Sequence, residues 1–258
     1  MAYPKITVNT GIVRPVIASN TIPIPSPNVD ILAGFSTGVA TGTADTNTLN
    51  HLINSTLTGN DQFTATVVPL PVVNGDRAIN TTDGIQSLVT NVTATDLTLA
   101  ADTFPDGNEA YAISRPNHLV DVNATFITSG VKQGDIVQGS AGTLARVVSV
   151  NNEKDITLDA DLFSSITEYN DGYIIYLDGA SGSISGSSSE ACLLYVSTLS
   201  GMSANAPTYV DVEVMTAAGN RVTFRNFPVG SYLPVQITQL FSANTTSTAR
   251  DRACLAIW

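Results

Sequence analysis

Cations are scarce in this chain. Only three of its 11 basic residues are lysines (Lys5, Lys132 and Lys154), against 22 acidic residues, and the net charge is −11. Nucleic-acid binding needs clustered cations that displace counterions from phosphate, and the sequence has no such cluster. The same deficit argues against anionic membrane surfaces, so neither nucleic acid nor membrane is expected as a partner. The two cysteines, Cys192 and Cys254, are too few to staple 258 residues. They read as buried thiols of a protein assembled in a reducing compartment. No stretch approaches the roughly 18 consecutive apolar residues of a membrane span. The opening MAYPKITVNTG has neither a charged nor an apolar signal region, so no secretory signal is expected. Apolar residues at helical spacing are also rare.

What is present is β-forming material. Hydrophobic residues make up 43% of the chain and charged residues 13%, enough apolar matter for a core and too much for an acidic disordered tail. The 32 threonines, with many Val and Ile, are branched at Cβ, lose rotamer freedom in helices and fit a pleated surface. The expected fold is all-β: several small antiparallel β-barrel or β-sandwich modules in tandem with an extended N-terminal arm. The length suits one large β domain or two to three small ones.

Residues 1–45 form the arm. Pro15, Pro23, Pro25 and Pro27 break any sheet interior, yet Val13, Val16, Ile17, Ile22, Ile24 and Ile31 make the segment strongly apolar. It should lie extended, either as an edge strand of its own domain or as an arm anchoring the subunit in an assembly.

An internal repeat follows. Asn50-His51-Leu52-Ile53 recurs as Asn117-His118-Leu119-Val120, and Gly75-Asp76 as Gly134-Asp135. The run from Asp96 to Phe104 recurs from Asp155 to Phe163, and Tyr111-Ala112-Ile113 matches Tyr173-Ile174-Ile175. The offset is 67 at the histidines, 59 through the middle and 62 at the end. The first copy therefore holds eight extra residues around 61–71 and the second three extra near 165–169. These offsets give modules at 46–116 and 117–178, each marginal alone, so that each should pack on its twin or on a neighbour. Residues 179–190, dominated by Gly and Ser, read as a linker. Residues 191–258 read as a C-terminal β domain of five strands, one of them with a wet face carrying Asp211 and Glu213.

Candidate chemistry is thin. His51 and His118 sit at equivalent repeat positions but lack the companion ligands of a zinc site, so a structural role is the better reading. Asp159 and Asp161, like Asp211 and Glu213, alternate as glycosidase acids could, but exposed faces of an acidic β protein supply such pairs routinely. Asn151, Asn152, Glu153 and Asp155 lack the spacing of an EF-hand loop. Serines 187–189 have no nucleophile elbow, and no phosphate-binding or dinucleotide motif is present. Asn-x-Ser/Thr occurs at Asn54, Asn80, Asn91, Asn123 and Asn244, as a Thr-rich sequence produces by chance. Trp258 ends an apolar strand that either closes its own unit or docks into a neighbour. No catalytic, cofactor-binding or metal residue is assigned, no cofactor is expected, and the chain reads as a non-enzyme.

The C-terminal unit carries a resemblance. Leu194-Tyr195-Val196, Val210-Asp211-Val212 and the run from Gly219 to Phe224 are followed by Asn226-Phe227-Pro228-Val229-Gly230, Leu233-Pro234-Val235-Gln236-Ile237 and Leu255-Ala256-Ile257-Trp258. In that order they resemble the spike-base proteins of gene transfer agents and tailed phages, small β domains that sit on the particle and anchor a projecting fibre. The repeat, with GVKQGDIVQGSAGTLARVVSVNNEKDITLDADLF, is similar to modules in virion structural proteins of marine phages, especially cyanophages. These resemblances imply a head spike base, fibre base or decoration subunit of the virion, assembled in the host cytoplasm. The implied partners are capsid, portal or collar, and fibre subunits, with a homo-oligomer (trimer or pentamer) following particle symmetry. The alternative is a host-glycan-binding tail or baseplate adhesin using Tyr169, Tyr173 or Tyr176. A third class, a depolymerase, would need two acids converging in one cleft.

Overall fold

The computed structural model describes residues 12–20, 23–24, 31–65, 70–163, 166, 169–177, 191–197, 208–246 and 254–258. The linker at 179–190 lies outside them. The arm carries β1 (Val13–Val16), β2 (Ile31–Phe35) and β3 (Ala40–Thr43). The first repeat adds β4 (His51–Ile53), β5 (Arg77–Asn80), β6 (Ile85–Val92), β7 (Asp96–Leu99) and β8 (Ala110–Ser114). The second adds β9 (His118–Val120), β10 (Ile136–Gly139), β11 (Leu144–Asn152), β12 (Asp155–Leu158) and β13 (Gly172–Tyr176). The C-terminal segment holds β14 (Cys192–Val196), β15 (Tyr209–Thr216), β16 (Arg221–Pro228), β17 (Ser231–Phe241) and β18 (Cys254–Ile257). A single 3-10 turn, Gly59–Asp61, is the only helical element among the described residues. The protein is all-β.

These strands make three six-stranded antiparallel sheets. The first module runs β3-β8-β5-β6-β7-β4 and the second β2-β13-β10-β11-β12-β9, the same order with equivalent strands in each place. In both, the long third hairpin strand carries a bulge, between Val89 and Asn91 in β6 and between Val147 and Ser149 in β11. A bulge sharpens local twist, and each sheet curls until its outer strands meet. Asp45 N donates to Ile53 O at 2.7 Å in the first module, and Thr37 N to Val120 O at 2.8 Å in the second. Each half-closed barrel has its own core, Phe104, Leu52 and Leu97 in one and Phe126, Ile156 and Ile175 in the other.

The arm does not end at residue 45 as a separate body. It gives one strand to each sheet: β1 to the C-terminal sheet, β2 to the second module and β3 to the first. The second module has no room for its own first strand, because only Arg115, Pro116 and Asn117 separate β8 from β9. The slot beside β13 is filled by β2, from residues that precede the first module. Contacts accordingly divide the chain into 31–177 and a second unit made of 1–30 and 178–258.

That second unit is the sheet β1-β18-β14-β17-β15-β16. The five strands expected from sequence are joined by β1, which pairs Val13 with Ile257 through to Val16 with Cys254. Pro15 is tolerated because β1 is an edge strand, where a missing N–H costs no ladder bond. The arm then continues beside β17, with Ser19 N donating to Leu240 O and Ile24 N to Thr238 O. Val16, Ile24, Val212, Leu194 and Trp258 share one core. Trp258 thus packs in its own unit, its N–H bonded to Ile12 O.

The eight additional residues of the first copy form two insertions rather than one. Phe63 and Phe126 are equivalent, donating to Ala94 O and Glu153 O, and they accept from Val72 N and Val131 N respectively. Four extra residues precede Phe63 and four follow it.

Candidate functional site

The repeated polar residues build the frame of both barrels. His51 Nδ1 bonds Asp96 Oδ1 at 2.8 Å, and His118 Nδ1 bonds Asp155 Oδ1 at 2.7 Å, each diagonally across two paired strands. Asn50 and Asn117 precede them at φ 60° and 59°, a left-handed conformation that asparagine tolerates. Asp76 and Asp135 each accept a turn N–H at 2.9 Å, from Val73 and Lys132. Tyr111 Oη accepts from Asn54 at 3.1 Å, while Tyr173 Oη donates to Asp121 at 2.7 Å. Burial raises the Tyr173 phenol far above its usual range, helped by the Asp121 carboxylate. The same bonding thus recurs in both modules, and each histidine ties two neighbouring strands together.

The paired acids are scaffold too. Asp159 and Asp161 lie beyond the end of β12, in a turn rather than on a strand. There Asp159 accepts Arg146 N at 2.7 Å and Asp161 accepts Arg77 Nη1 at 3.1 Å. Glu213 is not on a wet face: it is 6% exposed and forms a two-point pair with Arg221 at 3.0 and 2.9 Å. Asp211 holds Asn226 N at 2.8 Å, fixing a bulge in β16. Asn151 donates to Asp155, and Asn152 caps Lys154 N, so these groups hold a hairpin together. Asn54 and Asn80 are buried, which closes both to a glycosyltransferase. Serines 187–189 lie outside the described residues.

The two modules part company at one corner, the β5–β6 hairpin and its β10–β11 counterpart. In the first module Asn80 is fully buried, and its Nδ2 reaches Glu109 Oε1 at 2.7 Å, Thr103 O at 2.8 Å and Asp83 Oδ2 at 3.1 Å. Carboxylate oxygens of Asp83, Asp106 and Glu109 all lie within 4.8 Å of one another. Burial and the Asp83 carboxyl beside it push Glu109 above its ordinary value. These three acids are the described residues that could hold a metal, since hard cations take carboxylate oxygens. Either a divalent cation or a shared proton satisfies that geometry.

In the second module the same corner has Gly139 where Asn80 stands, paired with Tyr173 as Asn80 pairs with Tyr111. A hollow of about 540 Å³ lies on the opposite, outward face of these strands, over Ala33, Phe35, Gln138, Ser140, Gly172 and Ile174. A smaller one of about 230 Å³ lies across β2, between Leu32 and the loop Asp121 to Thr125. Phe35 and Gly34 line both. Of the three tyrosines considered for glycan contact, Tyr173 is core, Tyr176 is half-buried with its hydroxyl on Gln138, and Tyr169 is half-buried outside both linings. Phe35, 66% exposed, is the aromatic residue at the hollow.

Sequence reading missed both corners. The acid cluster had a signal in the paired Asp-Gly turns Asp83-Gly84 and Asp106-Gly107 with Glu109 close by. The hollow had no local signal, because it forms only where β2, β13 and β10 lie side by side. No helix among the described residues is long and apolar enough to cross a membrane. Compared with known protein families, curated protein sequences and solved structures, the chain finds no match in any of the three.

Proposed function

We propose that the chain is a non-enzymatic structural subunit of a tailed-phage particle, a head spike base, fibre base or decoration subunit that joins partners through β-strand contacts. The observation that carries this reading is the way the N-terminal residues are used: their strands β1, β2 and β3 each complete a different sheet by strand addition. The polar residues repeated in the two modules make scaffold bonds. The ordered blocks of the C-terminal unit that resemble spike-base proteins fall on β14 through β18, which supports a particle-bound role.

Of the two edges of the C-terminal sheet, β1 and β16, the one proposed for a partner is β16, whose one ladder neighbour among the described residues is β15. Its backbone is bulged opposite Asp211, with Asn226 at φ 49°, and it ends in Pro228. A kinked edge of this kind admits a strand of matching shape and rejects flat, indiscriminate pairing. The arrangement suits a closed ring of copies, trimer or pentamer, or a fibre segment laid along β16.

Locating the subunit in a map of the intact particle tests the assignment, with the chain expected as density outside the shell. Purified particles that lack the chain would overturn it. Light scattering on the purified protein tests the oligomer separately, and a monomer at every concentration would remove that part.

A further inference from the structure

We propose that the hollow on the second module is a carbohydrate subsite for a neutral pyranoside. This goes beyond the particle assignment and does not depend on it. At about 540 Å³ the hollow falls within the range of small-ligand sites, roughly 300–1,000 Å³. Gly172, Ala33 and Ile174 keep its floor low and apolar. Phe35 stands at its side with 66% of its surface exposed. One face of a pyranose consists of C–H groups, which pack on such a ring while the hydroxyls point outward.

The polar groups match that ligand. Ser140 Oγ donates to Asp171 Oδ2, so its lone pairs remain to accept from a sugar hydroxyl. Tyr176 Oη donates to Gln138 Oε1 at 2.6 Å, which leaves the Gln138 Nε2 amide as a donor. A stacking ring, an acceptor and a donor thus converge on one space. Charge narrows the class further. Among the described residues no cation lines the hollow, Asp171 is bonded to its Ser140, and Asp121 lines the adjoining one. Uronic, phosphorylated and sulfated sugars are therefore disfavoured against neutral ones.

Titration of the full ¹⁵N-labelled chain with lactose, maltotriose, chitotriose and glucuronate, each to about 10 mM, tests this, because a millimolar site would then be mostly filled. The expected result is shifts at Phe35, Gly139, Ser140 and Gly172 with at least one neutral saccharide and a weaker response to glucuronate. Phe35→Ala and Gln138→Leu should each weaken binding at least about tenfold. The exposed Phe35→Ala should leave the melting temperature in place. No shift with any neutral saccharide overturns the site, as do an equal response to glucuronate, shifts confined to other residues, or unchanged binding by Phe35→Ala.

Discussion

Gly34 lies against the phenol of Tyr173 so closely that a Cβ there would sit 2.5 Å from Tyr173 Oη and 2.8 Å from Asp121 Oδ2. Gly42 stands in the same relation to Tyr111, at 2.6 Å. The arm strand and the closing strand of each module can meet only because this position has no side chain. Tyr173 cannot swing aside, since Phe126 and Phe163 pack against its ring and its hydroxyl is bonded to Asp121. Gly34→Ala and Gly42→Ala should each destabilise residues 31–177 by about 1–3 kcal/mol through overpacking. Urea denaturation of the full chain measures this, and a neutral Gly34→Ala would mean that β2 is dispensable.

Arg115 sits in the three-residue connection between β8 and β9 and grips Asp76 through Nε and Nη2, both at 2.9 Å. Its Nη2 also donates to Pro71 O at 2.8 Å. Burial works against the guanidinium charge, but the bonds to Asp76 outweigh it, and the group is held above its ordinary value. The Asp76 side chain is 1% exposed, so Arg115→Ala strands a buried carboxylate. The expected cost is about 3–5 kcal/mol. The double change with Asp76→Asn should recover part of it, which thermal or urea melts would show.

Two glutamates should respond to acid in opposite directions. Bonds from Arg221 hold Glu213 below its ordinary 4.5, so its contribution is complete above that value and is lost as pH falls through the lower folded value. Burial holds Glu109 above 4.5, so the folded state binds this proton more tightly, and the cost at neutral pH is relieved on acidification. Glu213→Gln should therefore lower the melting temperature at pH 7 and close on the parent at about pH 3.5. Glu109→Gln should match or exceed the parent at pH 7 and lose that advantage in acid. Melting curves at the two pH values decide both.

Burial pushes the thiols of Cys192 and Cys254 up to about 12. Neither is accessible, and in the strand ladder Cys254 faces Val196, at the far end of β14 from Cys192. A thiol reagent at pH 8 should label neither cysteine in the folded protein and both in denaturant, with no disulfide on prolonged oxidation. Rapid native labelling would show that β14 or β18 opens readily.

Much of the architecture was legible in the residues alone. Branched side chains and the lack of helical spacing announced an all-β chain. The aligned blocks from His51 and His118 onward fell on equivalent strands, since β4 and β9, β7 and β12, and β8 and β13 keep the offsets 67, 59 and 62. The structural reading of the histidines agrees with their bonds to Asp96 and Asp155. The acid pairs were placed less well: Glu213 looked wet because its strand alternates, and nothing local revealed that the exposed Arg221 would cover it.

What only the tertiary structure decided was who completes whom. Residues 31–35 and 40–43 are four or five positions of small and apolar residues, and nothing in them says which sheet each will join. Gly34 is read as a necessity only beside Tyr173, 139 positions away, and the hollow beside Phe35 exists only when β2, β13 and β10 are laid next to one another. Periodicity along a strand is fixed by its own side chains, whereas the partner of an edge is chosen by packing and hydrogen bonds gathered from distant parts of the chain.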